Sequence, residues 1–189
     1  MPVGTSLPPS AGLILQHVAL GRGTQNYTCA NSTRDAVPVA AGALATLFNV
    51  TCLAAPYTPL LQVLPGIALH FPVPITPSLA PVNLFLSGKH YFADLTTPTF
   101  DLDAAGHEWG KVGCKKANAT DAPTDPKTNV PWLKLTSKSR DGCTISEVYR
   151  VNTAGGQPPP TCEGQKPAFE VQYAAEYWMW SNPALGSYS

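Results

Sequence analysis

Charge is what this sequence has least of. Aspartate, glutamate, lysine and arginine make up 13% of its 189 residues, about half the roughly 25% usual for globular chains. The 12 basic and 12 acidic residues cancel, so no sequence-wide field draws the chain to nucleic acid or to an anionic membrane, and neither partner is expected. No apolar run approaches the roughly 18 residues of a bilayer-spanning helix, which points to a soluble chain. The opening Met1-Pro2-Val3-Gly4 lacks a basic segment followed by an apolar one, and we read the chain as a mature form whose leader has been removed. Pairs of the C-x-x-C or C-x-x-H type are missing, which argues against zinc. No G-x-S-x-G elbow marks a catalytic serine.

Proline, by contrast, is abundant: 20 residues against an ordinary share of about 5%. Low charge with high proline suits a loop-rich, secreted β protein. Four N-x-[ST] acceptors point to the same compartment, at Asn26, Asn31, Asn49 and Asn118, an excess over what eight asparagines would place by chance. In a secretory setting the five cysteines, Cys29, Cys52, Cys114, Cys143 and Cys162, are expected to form two bridges and leave one thiol, with Cys29, Cys52, Cys114 and Cys162 as the bridge candidates. Spacing does not assign the pairing.

Periodicity is that of strands. Residues 12–20 form a compact apolar run that Gly21 and Gly23 are expected to stop with a turn. In the next strand a solvent-facing Asn26 turns Gln25, Tyr27 and Cys29 inward. By the same reasoning an exposed Asn49 sends Leu44, Thr46, Phe48 and Val50 inward. Thr58-Pro59 resembles a helix start, giving one turn over 59–64 that Pro65-Gly66 ends, after which Ile67, Leu69 and Phe71 alternate as a strand would. His90, Phe92 and Asp94 share a face. Residues 115–129 read as an exposed loop, and residues 168–180 are the longest alternating segment, with Tyr173 and Tyr177 on one face and Glu176, Trp178 and Trp180 on the other. The expected fold is all-β: a single-domain antiparallel sandwich or barrel over 12–181, with long proline-rich loops and at most one or two short helices. An N-terminal arm (1–11) and a C-terminal tail (182–189) flank it.

Several stretches carry a resemblance: Gly21-Arg22-Gly23-Thr24-Gln25-Asn26-Tyr27-Thr28-Cys29, Leu64-Pro65-Gly66-Ile67-Ala68-Leu69, Ser87-Gly88-Lys89-His90-Tyr91-Phe92, Pro131-Trp132-Leu133-Lys134-Leu135, the segment from Glu147 through Asn152-Thr153-Ala154-Gly155-Gly156, and Val171-Gln172-Tyr173-Ala174-Ala175-Glu176-Tyr177-Trp178. From Leu13 to Trp180 the chain resembles a secreted fungal family of unknown function with bacterial relatives, whose members are often labelled malate dehydrogenase. The residues contradict that label. A dinucleotide fingerprint needs a third glycine and a following helix, whereas Gly21-Arg22-Gly23 leads into Gln25, Asn26 and a strand.

Function is less legible. His17, His70, His90 and His107 with Asp94, Asp101, Asp103 and Glu108 are metal-ligand types without ligand spacing, and no metal or cofactor is expected. Carboxylate pairs for glycoside hydrolysis can be drawn from Asp101, Asp103, Glu147, Glu170 and Glu176, but nothing selects two. The leading expectation is a secreted, monomeric, non-catalytic glycoprotein that binds a glycan or another cell-wall or surface component, with Gln25, Tyr27, His90, Glu176, Trp178 and Trp180 as candidate ligand contacts. The alternative is an extracellular enzyme or metalloprotein using a polar pocket of His90, Gln25 and Glu176.

Overall fold

A computed structural model describes residues 6–73, 85–103 and 107–185. Eight antiparallel strands run in sequence order and close on themselves as a barrel: β1 (Ile14–Thr28), β2 (Val39–Asn49), β3 (Leu86–Phe92), β4 (Pro98–Asp101), β5 (Lys111–Thr120), β6 (Trp132–Asp141), β7 (Ile145–Gly155) and β8 (Ala168–Ser181). Between β2 and β3 lies the helix α1 (Thr58–Leu69), and short 3-10 turns occupy Thr51–Leu53 and Pro183–Leu185. The expected all-β architecture is therefore a closed barrel. Closure comes from β1, which pairs with β2 on one side and β8 on the other, so neither long strand leaves an open edge. No helix among the described residues is long and apolar enough to cross a membrane.

Gly21 and Gly23 do not form a turn. They sit within β1 on its inward face, where a Cβ at Gly21 would meet the Tyr177 ring and one at Gly23 would overlap the Leu44 carbonyl. Glycine lets the strand curve tightly against β2 while large rings fill the interior. Gln25, Tyr27 and Cys29 point inward as the alternation predicts. In β2 the expected face is reversed, because Asn49 turns toward the barrel mouth rather than solvent. Ala43, Ala45 and Leu47 are the buried set, and Leu44 is exposed.

The interior is filled by Leu47, Phe100, Val112, Val148, Tyr173, Tyr177 and Met179 with smaller neighbours. A second apolar layer lies outside the wall, where Val18, Leu61, Trp132, Tyr149, Val151 and Trp178 pack together with Leu7 of the N-terminal arm. This layer explains why α1 runs straight through Pro65 and includes Ile67 and Leu69. Proline removes one backbone bond and disfavours helix interiors, but Leu61 and Pro65 are buried against the wall, and tertiary packing outweighs propensity. Asp94 has left β3 and caps the following turn, accepting from Thr96 N and from the Thr96 and Thr97 hydroxyls. Of the expected loop over 115–129, residues 115–120 instead continue β5 as its exposed outer end.

One disulfide, Cys29–Cys162, is present; the expected second bridge is not. Cys52 is exposed, whereas Cys114 is buried and Cys143 partly so. Burial pushes the Cys114 thiol up to about 12, with Cys143 adding to the effect, so it behaves as a small core residue.

Candidate functional site

Alternation divides the six candidate contacts between the two faces of the wall. Gln25, Tyr27 and His90 lie inside, and Glu176, Trp178 and Trp180 outside. Inside, Tyr27 donates to the Gly156 carbonyl (2.7 Å), Tyr173 and Tyr177 share a hydroxyl contact of 2.7 Å, and Arg150 donates to Pro131 O (2.9 Å). His90 stacks on Phe100 at 4.5 Å and donates from Nδ1 to Thr99 O at 3.0 Å.

Burial lowers the His90 imidazole to about 4; the Thr99 carbonyl opposes this and the Arg150 cation reinforces it. Above the ordinary value of 6.5 both folded and unfolded states are neutral. As pH falls toward 4 the unfolded chain takes up a proton that the folded one refuses, so stability is lost on acidification. We expect wild type to lose about 3 kcal/mol from His90 between pH 6.5 and 4, with His17, also lowered to about 4, adding in the same sense. Urea unfolding across that range should show a slope flatter by that amount in His90→Phe; an unchanged slope would contradict the assignment.

On the outer wall, Glu176 has no exposed surface. It accepts from Asn152 Nδ2 at 2.7 Å and from Trp178 Nε1 at 2.8 Å, while burial raises its pKa and these donors oppose the rise. Asn152 is held at φ 45°, where its backbone is interrupted by a register shift between Val151 and Ala154. The sequence expectation that Trp178 offers a stacking surface is corrected: at 2% exposure it lies within the outer apolar layer. His90 and Glu176 face opposite sides of the wall, so the proposed His90, Gln25 and Glu176 pocket does not form. Among the described residues no group of three or more His, Cys, Asp or Glu side chains is placed to hold a metal ion.

The residues that do converge stand at one mouth of the barrel. Gln16, His17, Asn49, Thr51, Leu102 and Trp109 line a pocket of about 280 Å³. A bulge between Leu15 and His17 in the β1–β8 pairing leaves Gln16 as the extra residue and aims His17 into the mouth. Gln16 accepts from Ser181 and Thr144. Val50 N donates to Val18 O at 2.9 Å, bringing the end of β2 and the following turn against β1. Across the mouth, Asp103 Oδ1 accepts from Gly110 N at 2.6 Å and Leu102 N donates to Gly110 O, which fixes Trp109 beside them. His107 stacks on Trp109 at 3.9 Å, nearly parallel, and His17 meets the same ring at 5.6 Å, tilted.

His17 is the telling residue here. It is 7% exposed, its Nδ1 contacts Thr51 Oγ1 at 3.3 Å, and its Nε2 is buried with no hydrogen-bond partner among the described residues. Burial, and then the neighbouring His107, lower its pKa to about 4, so at neutral pH the ring is uncharged. Thr51 Oγ1 accepts from Val18 N, and its one proton has two acceptors at 3.3 Å, Val18 O and, in the tautomer with Nδ1 bare, His17 Nδ1. A buried polar atom left unpaired costs about 1–3 kcal/mol. Among the described residues no charged side chain lines the pocket.

Two wider surface grooves lie elsewhere. One, of about 330 Å³, runs between α1 and the loop containing Ala122 and Asn129; the other, of about 490 Å³, crosses the outer faces of β1, β2, β3 and β8. Arg22 in the latter is fully engaged with protein carbonyls and Gln172.

A family model described as "Protein of unknown function (DUF3455)" matches residues 9–181, which takes in the barrel, α1 and every residue of the mouth pocket. The chain belongs to this family. Searches of curated proteins and of solved structures returned no match. The DUF3455 span begins where the arm docks, since Pro8 and Pro9 carbonyls accept from Tyr149 and Lys134. Within it, the mouth residues went unnoticed in the sequence except for His17 as a metal-ligand type and Asn49 as a glycan acceptor. A local signal for Trp109 is absent because its partners come from β1 and the end of β2.

Proposed function

We propose that this protein is a secreted, non-catalytic binding protein for a neutral, hydroxyl-bearing ligand, a glycan or other fungal wall or surface component, held at the barrel mouth. The observation that carries this reading is a pocket in which the Trp109 ring stands beside His17 and the neutral polar side chains Gln16, Asn49 and Thr51. Uncharged side chains of this kind exchange hydrogen bonds with ligand hydroxyls. An aromatic wall suits the apolar face of a sugar ring. At about 280 Å³ the volume lies just below the roughly 300–1,000 Å³ typical of ligand sites, which suits a single sugar unit. Secretion is supported by the disulfide and by Asn31 and Asn118, sequon residues that stand exposed.

Sedimentation of the unglycosylated chain with insoluble chitin and β-1,3-glucan, together with a glycan array, tests the reading. Saturable binding is expected, weakened at least about tenfold in Trp109→Ala, on the scale of the 1–3 kcal/mol that stacked aromatic and hydrogen-bond contacts contribute. Absence of binding to every saccharide, or full binding by Trp109→Ala, would refute it. An enzyme built on His90 and Glu176 has no geometric support, because the wall separates them.

A further inference from the structure

The pocket contains a glycan acceptor of its own chain. Asn49-Val50-Thr51 is one of the N-x-[ST] sequences, and both its asparagine and its threonine line the mouth with Trp109. Asn49 Oδ1 accepts from Thr51 N at 3.0 Å, which leaves Nδ2, the atom that carries an N-linked sugar, without a hydrogen bond among the described residues. Thr51 is in turn locked to Val18 and His17, so the acceptor amide is held at the rim of the pocket. The other sequon asparagines differ: Asn31 and Asn118 are exposed and Asn26 is half-buried along β1, and none of them lines this pocket.

We propose that Asn49 is N-glycosylated and that the first sugar of its glycan occupies the barrel-mouth pocket against Trp109, so that this modification closes the site to an external saccharide. The inference rests on the reading that the mouth takes sugar and adds which sugar reaches it first. In the transfer the Asn49 carboxamide nitrogen attacks C1 of the N-acetylglucosamine of a lipid-pyrophosphate-linked oligosaccharide. The N–C1 bond forms, the bond between C1 and the pyrophosphate oxygen breaks, the amide loses one proton, and the lipid pyrophosphate leaves. Once attached, the sugar meets Trp109 and the polar side chains of the pocket from a covalent tether, at an effective concentration that a free ligand does not match.

The test compares the full chain from a glycosylating host with the same chain from a non-glycosylating, disulfide-competent host. Peptide mass spectrometry reads occupancy at Asn49, and acrylamide quenching reads the exposure of Trp109, the most exposed tryptophan, since Trp132 and Trp178 are buried and Trp180 is half-buried. Occupied Asn49 is expected, with quenching reduced at least about twofold relative to the unglycosylated chain and restored in Asn49→Gln from the glycosylating host, which keeps the glycans at the other sites. Soluble chitin and β-glucan oligosaccharides are expected to bind the glycosylated chain at least about tenfold more weakly than the unglycosylated one. Asn49 empty while Asn31 and Asn118 are occupied, or Asn49 occupied with quenching unchanged, overturns the proposal. Equal oligosaccharide binding by both forms also overturns it while leaving the external-ligand reading standing. If neither form binds an oligosaccharide but the Asn49 glycan shields Trp109, the external-ligand reading fails and the self-occupied pocket stands.

Discussion

Replacing Cys29 and Cys162 together by alanine is expected to lower the unfolding free energy by about 4 kcal/mol. The bridge joins residues 133 apart in sequence, and the loop-closure entropy it removes from the unfolded chain is about 5 kcal/mol at this length, with native-state relaxation taking part of it back. The backbone contacts beside the bridge span similar distances in sequence. Cys29 N donates to Pro167 O and Cys162 N to Ala36 O, so the bridge staples the end of β1 to the loop before β8. Against total stabilities of about 5–15 kcal/mol, such a loss is large. Urea unfolding of the double variant, and of wild type under reducing conditions, should agree; a change under about 1 kcal/mol in both would show that the cross-link contributes little. Replacing Cys52, an exposed thiol, should leave the midpoint where it is.

Arg22→Met is expected to cost about 3–4 kcal/mol, because several charge-assisted hydrogen bonds are lost at once and their buried acceptors are left unpaired. Arg22 lies on the outward face of β1, 3% exposed, with its guanidinium under the C-terminal end of α1. Nε donates to Ala68 O at 3.0 Å, Nη2 to Phe71 O at 2.8 Å, and Nη1 to Gly23 O at 3.0 Å and Tyr173 O at 3.2 Å, with Gln172 Oε1 accepting as well. The helix has no basic residue in its own last turn, so a cation from a strand complements the negative end of its dipole and satisfies its free carbonyls. Burial lowers the Arg22 pKa from its ordinary value, yet a guanidinium stays charged at any working pH. Arg22→Lys should recover only part of the loss, since a point charge does not reproduce the planar fork. Hydrogen exchange should open selectively at the last turn of α1 in Arg22→Met. Uniform exchange, or a loss below about 1 kcal/mol, would contradict the anchoring role.

What could be read in advance followed from chemistry that acts over a few residues. The two-residue period of a strand turned Gln25, Tyr27 and Cys29 inward correctly, and it separated Tyr173 and Tyr177 from Trp178 along β8. Where the same rule was anchored on a wrong premise it inverted a whole face: Asn49 was taken as solvent-facing, and Leu44 rather than Ala45 was expected inside. Propensity failed at Pro65, where packing of Leu61 and Pro65 on the outer wall carries α1 through a residue that ends most helices.

The sequence by itself determined the all-β character, the acceptor sequons and the inward side of β1, because each depends on neighbours within a few positions. Only the tertiary structure decided that the sheet closes, that Cys29 pairs with Cys162, and that His17, Asn49, Thr51 and Trp109 meet at one mouth. Those outcomes depend on strand register, and a single bulge at Gln16 is enough to change which side chain enters the pocket. Register is set by the simultaneous pairing of all eight strands and by the layer packed outside them, a global condition that no short stretch of the chain encodes.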